Sequence, residues 1–308
     1  MKRLFKRGDK VKAGWRIVLL CGFISLFSSI VTITWKLLGL PPQKSNGVIN
    51  VPSFVISGIL VFWIVLLSIF ITLKLTETRS LNSIGLTTSN WRLSILFGLA
   101  FGLLTPLVVV TIYVQTGNAS IHFNTNLSIR DVFISTMPLL VFFVFQSGFE
   151  ELLFRGYALQ LFIEATGKYW AILLTGLLFG VAHSGNPGAD IKGLLNTAAN
   201  GILLALVVIE TGSIILVWAY HASWNIFGSL VLGLNVSGIQ LRGSIFQTTL
   251  HGSDWVTGGK YGFEASSITG LIETTTLIVL IILLKIHPIK EKGKNYFRPL
   301  LIHQNKMQ

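Results

Sequence analysis

Apolar residues gather in eight blocks, at about residues 17–35, 51–73, 93–114, 132–164, 169–182, 194–209, 213–234 and 266–284. A membrane-spanning helix needs ~20 mostly apolar residues. The first three blocks and the last have the usual form. The fourth is too long and carries Glu150, Glu151 and Arg155. The fifth and sixth are short, and the seventh holds His221 near its middle. The pattern predicts an all-α fold, a polytopic transmembrane bundle of about eight helices. Short, long and polar-bearing helices packed together suggest a buried site.

Composition agrees. The 308 residues are 52% hydrophobic and 12% charged, against roughly 25% charged in soluble domains. The net charge of +12 would suggest nucleic acid in a soluble protein. Here the positive residues sit at the chain ends and in one loop, so a lipid bilayer is the expected partner and nucleic acid is not. Lys2, Arg3, Lys6, Arg7, Lys10, Lys12 and Arg16 precede the first block. Lys74, Arg79 and Arg92 lie between the second and third; Lys285, Lys290, Lys292, Lys294, Arg298 and Lys306 follow the last. The other N-terminal loops hold only Lys44, and Arg130 beside Asp131. With eight crossings this bias places both termini in the cytoplasm. The first block is too long for the ~7–15-residue core of a cleaved signal, so it is expected to remain as a helix. Cys21 is the one cysteine, which leaves no intrachain disulfide and no cysteine metal cluster. No internal repeat or low-complexity tract is visible.

Three polar clusters interrupt the blocks. Ionisable groups within spanning segments cost ~2.5–3.5 kcal/mol each on insertion scales and are functional candidates. In Glu150-Glu151-Leu152-Leu153-Phe154-Arg155-Gly156, Glu151 and Arg155 share a helical face and can neutralise each other. Glu150 points ~100° away, and a carboxylate without an ion partner is a candidate general base. The structural alternative is an ion-pair network. In Phe179-Gly180-Val181-Ala182-His183, His183 ends a helix before the stop signal Ser184-Gly185-Asn186-Pro187-Gly188. Alone it reads equally as a cap on the helix dipole. In His221-Ala222-Ser223-Trp224-Asn225, His221 and Asn225 share a face and make either a site or an interhelical clamp. Together, a carboxylate, two histidines and an asparagine suffice for amide hydrolysis by activated water.

Glu-Glu-x-x-x-Arg, Phe-x-x-x-His and His-x-x-x-Asn, in this order on successive apolar helices, resemble the CPBP (CAAX protease and bacteriocin-processing, or Abi) family of intramembrane proteases. Type II CAAX prenyl endopeptidases belong to it. The resemblance covers 132–234, and the tract Gly258-Gly259-Lys260-Tyr261-Gly262 is similar to a glycine-glycine segment before the last helix of many members. It implies Glu150 as general base, His183 assisting, and His221 with Asn225 as oxyanion donors. Glu151, Arg155 and Phe179 would support them. The substrate would be a peptide or protein in or at the membrane. No cofactor is favoured; zinc on Glu150, His183 and His221 is the alternative, against which stand the neighbouring asparagine and the lack of a His-Glu-x-x-His pair.

The expected division is a basic cytoplasmic segment 1–16, three helices over 17–131, a catalytic core 132–287 and a basic cytoplasmic tail 288–308. The loop 235–265 is the longest connection. Glu273 is expected to be paired or to snorkel near the interface. Pro106 and Pro138 are expected to kink their helices. Trp15, Trp35, Trp63, Trp91, Trp170 and Trp218 suggest an aromatic belt. A transporter would use the same ionisable groups, but no second polar half exists. A non-catalytic immunity or binding protein would predict that Glu150→Gln changes nothing. Counting places His183 near the outer end of its helix and His221 about two turns into its own from the inner side, a mismatch that tilted or re-entrant helices would resolve.

Overall fold

Each apolar block folds as a helix. The computed structural model describes residues 6–7, 10–39, 51–86, 90–241 and 243–289. Helices α1 (Ala13–Leu38), α2 (Val51–Thr76), α3 (Trp91–Gln115), α4 (Ile129–Thr166), α6 (Ile191–Thr211) and α8 (Ser267–Ile286) are long and apolar enough to cross a membrane. Between them lie the shorter α5 (Lys168–Ala182) and α7 (Ile215–Asn225), the latter continued by a π turn at Ile226–Val231. This is an integral membrane protein. Most of the expected tail 288–308, with Lys2, Arg3 and Lys44, lies outside the described residues.

The short helices resolve the depth mismatch. At 1.5 Å per residue, α5 and α7 reach only about 22 and 17 Å, less than the ~30 Å hydrocarbon layer. Their ends can therefore lie within the layer, so His183 at the C-cap of α5 and His221 inside α7 can meet at one depth.

Two glycine seams pack the site-bearing helices α7 and α5 closely against α3 and α6. Gly98 and Gly102 of α3 lie against α7, where an added Cβ would strike the carbonyl oxygens of Leu216 and Tyr220. Gly176 and Gly180 of α5 press on α6 at Ile202 and Leu194 in the same way. Small residues four apart allow such backbone approach in membranes. Gly102→Val is expected to destabilise the fold by about 3 kcal/mol, at the upper end of overpacking costs; thermal unfolding in detergent would show it. A melting point equal to wild type would mean that α3 and α7 are held elsewhere.

Helix α4 carries π turns at Val132–Thr136 and Leu152–Ala158. Pro138 follows the first at the start of an α-helical stretch. Near the N-terminus, strands β1 (Lys6–Arg7) and β2 (Lys10–Val11) form a small antiparallel ladder. The loop 235–265 carries regular structure. It holds β4 (Phe246–Leu250), which pairs antiparallel with β3 (Ala119–Phe123), Ala119 opposite Leu250 and Phe123 opposite Phe246. In the glycine tract, Gly258 has φ +87° and a Cβ there would strike the Gly262 carbonyl. Glycine is required for that turn.

Two assignments change. Arg16 does not serve orientation as a free charge. It is buried in α1, bonds Glu164 through both terminal nitrogens at 2.9 Å, and lies 3.3 Å from Glu77. Tyr157 and Arg79 complete this network on Glu77. The ion pairs let α1 begin one turn earlier than the apolar block. Glu273 does not snorkel either. It is buried, and it accepts hydrogen bonds from Asn200 of α6 and Tyr220 of α7. Trp218 donates its indole N–H to the Val144 carbonyl at 2.7 Å.

Candidate active site

The seven residues singled out by the three motifs lie together. Helix α4 supplies Glu150, Glu151 and Arg155; α5 supplies Phe179 and, at its cap, His183; α7 supplies His221 and Asn225.

Glu151 and Arg155 form the expected pair, 3.0 Å apart with both side chains almost fully buried. The same Glu151 oxygen accepts from His221 Nδ1 at 2.9 Å. Phe179 fills the space between. The Arg155 guanidinium lies 3.9 Å over its ring, a cation–π contact. The imidazoles of His183 and His221 stand at 4.7 and 6.2 Å from the same ring. The π turn after Glu151 keeps this cluster on one face, and such turns recur at functional sites.

His183 Nδ1 lies 2.8 Å from the Phe179 carbonyl. A carbonyl and a carboxylate only accept, so in both histidines Nδ1 carries the hydrogen. In the neutral rings Nε2 is then a bare acceptor. Both Nε2 atoms face Glu150 Oε2, at 3.8 and 3.9 Å. That oxygen is buried and has no hydrogen-bond partner. Three acceptors facing one another need hydrogens between them. The gaps are too long for direct hydrogen bonds and suit one bridging water.

Gln146 was not foreseen. Its amide nitrogen donates to Glu150 Oε1. Its oxygen accepts from Asn225 Nδ2 at 2.9 Å. It thus ties the carboxylate of α4 to the asparagine of α7. The signal was a polar residue one turn before Glu150 in an apolar run. Asn225 also reaches Ser147 Oγ at 3.4 Å.

Two spaces meet here. Phe54, Phe142, Phe149 and Phe154 wall a mostly apolar cavity of about 400 Å³ that reaches Glu150, His183 and Asn225. A smaller polar cavity lies beside the imidazoles. As for zinc, four-coordinate bonds of ~2.0–2.1 Å place donors about 3.4 Å apart, closer than the 3.8 and 3.9 Å between Glu150 Oε2 and the two Nε2 atoms. Among the described residues no group of three His, Cys, Asp or Glu is arranged to hold a metal. The donors as placed do not fit the ion.

No curated protein and no solved structure matches the chain. Residues 132–227, which hold all seven motif residues, match the family model of the type II CAAX prenyl endopeptidase, Rce1-like, so this third of the chain is similar to that membrane peptidase family, as the CPBP motifs led one to expect.

Proposed function

We propose that the protein is an intramembrane endopeptidase that hydrolyses peptide bonds of membrane-associated or lipidated peptides and proteins. The observation that carries this is the buried, unpartnered Glu150 Oε2 facing the Nε2 atoms of two imidazoles across a water-sized gap. The aromatic cavity beside it suits an apolar substrate segment.

The chemistry follows from the positions. A water between Glu150 and His183 gives one proton to Glu150 as its oxygen adds to the scissile carbonyl carbon. His183 accepts the second hydrogen of that water as a hydrogen bond and orients it. The carbonyl electrons move to oxygen. His221, its Nδ1–H held on Glu151, takes up a proton from water on Nε2 before the reaction and donates Nε2–H to that oxyanion. Asn225 Nδ2 adds a second donor with the hydrogen it now points at Ser147 at 3.4 Å, while its other hydrogen stays on Gln146. Each such donor can contribute ~2.7–4 kcal/mol. The C–N bond then breaks, and the proton on Glu150 passes to the leaving nitrogen. No step is routed through a metal.

The test is cleavage of a membrane-anchored peptide library by the purified chain in lipid vesicles. Folded protein that cleaves nothing would overturn the reading. Gln146→Leu is expected to lower kcat by about 10–100-fold, since a hydrogen bond to a charged group contributes ~1.5–3 kcal/mol. An unchanged kcat in initial-rate assays would show that Glu150 and Asn225 need no tie.

A further inference from the structure

Beside the imidazoles lies a small cavity of about 40 Å³. His183 and His221 form one side of it, and Asn200, Tyr220, Glu264 and Glu273 form much of the other. A water occupies ~10–15 Å³ of such space, so the cavity takes about three waters. It is too small for a substrate side chain. The aromatic cleft of about 400 Å³ meets this cavity at His183 and Ser237 but otherwise has other walls, so substrate in the cleft leaves the cavity's carboxylates uncovered.

The two carboxylates of the cavity differ. Glu264 is saturated: Oε1 accepts from Trp224 at 3.0 Å, and Oε2 accepts from the Ser237 N–H and hydroxyl at 2.6 and 2.8 Å. Glu273 carries both of its described hydrogen bonds on Oε1, from Asn200 and, at 3.3 Å, Tyr220. Both partners are neutral. A buried carboxylate without a cation is costly unless water solvates it. Its free Oε2 and the polar walls make that solvation available. Asn200 Oδ1 beside it is buried with no partner. An interhelical clamp would need only the Asn200 and Tyr220 bonds and no cavity joining Glu273 to the imidazoles.

We propose that this cavity stores water for the reaction, that Glu273 anchors the store, and that Glu273 is a positioning residue acting through water at His183 and His221. This rests on the hydrolytic reading of the site. In an apolar surrounding, hydrolytic water has to be replaced after each turnover. A few waters held beside the histidines would do so while substrate fills the aromatic cleft.

Two measurements test it. Water-edited solid-state NMR of the full chain in bilayers would follow magnetisation from water to the Asn200 side-chain amide. Rapid transfer, comparable to exposed loop amides, is expected in wild type. Slow transfer would mean a dry cavity and overturn the proposal without any variant. Reporter cleavage would then compare Glu273→Leu, Glu273→Gln and Leu204→Phe. Leu204 lines the same cavity, so the larger ring takes up its space while the Glu273 carboxylate is kept. Leu and Phe variants are expected to lose about 10–100-fold in kcat per folded enzyme, with KM within about twofold, at the low end of what a positioned proton-transfer partner contributes. The Gln variant is expected to keep kcat within about threefold, because an amide still binds water. An unchanged kcat in folded Leu and Phe variants, a loss confined to KM, or a Gln variant as impaired as Leu would each overturn it. If wild type cleaves nothing, the hydrolytic reading fails, while the NMR result still decides whether the store exists.

Discussion

Glu150→Gln is expected to lower kcat/KM on a membrane-anchored reporter by at least about 10³-fold, within the range of general-base contributions. Glutamine has the size of glutamate and can still meet Gln146, so the contact between Gln146 and position 150 survives in weaker form. What is lost is the only atom among the three facing acceptors that is an anion in the reading above. The amide cannot take a proton from water. The thermal midpoint should stay within a few degrees of wild type, because Glu150 makes no buried ion pair with Arg155; that partner is Glu151. A variant with near-normal cleavage would remove Glu150 as the base. A parallel arm adds a chelator to wild type. Retained cleavage agrees with the metal-free route, whereas cleavage lost in chelator and restored by zinc would require the donors to close from their present 3.8 and 3.9 Å.

The fold was legible because a bilayer imposes length. Blocks of ~20 apolar residues have few other uses, and all eight became helices. The motif residues were legible because each pair lies four apart, on one face of one helix. Partners across helices were not. Gln146 contacts Asn225 across 79 positions of chain, and no spacing announces that. Arg16 looked like one more basic residue because its partners, Glu77 and Glu164, lie on other helices. Glu273 looked interfacial because its depth along α8 was countable but its facing helices were not. The close packing of α3 on α7 at Gly98 and Gly102, and of α5 on α6 at Gly176 and Gly180, was not read from the sequence, because the facing residues lie far along the chain.

Breaking the Glu151–Arg155 pair is expected to have the largest effect on stability. Its charges are almost fully buried. Membrane hydrogen bonds measured by double-mutant cycles average only ~0.6 kcal/mol, and on that scale the pair would hardly matter. The relevant cost is different. Removing one partner strands a charge away from water, for about 3–5 kcal/mol, against total stabilities of about 5–15 kcal/mol. Arg155→Met and Glu151→Leu should therefore each lower the unfolding midpoint sharply and reduce the folded yield. The double variant should recover most of the stability, because apolar residues of similar size can replace a buried ion pair with little loss. It should not recover activity. His221 Nδ1 takes its direction from Glu151 at 2.9 Å, and without that acceptor the ring no longer has a fixed tautomer facing Glu150. Thermal unfolding and reporter cleavage on the same preparations separate the two effects. A double variant that is stable and inactive would show that Glu151 both braces the helix and aims the histidine. A double variant that is stable and active would reduce the pair to a brace alone.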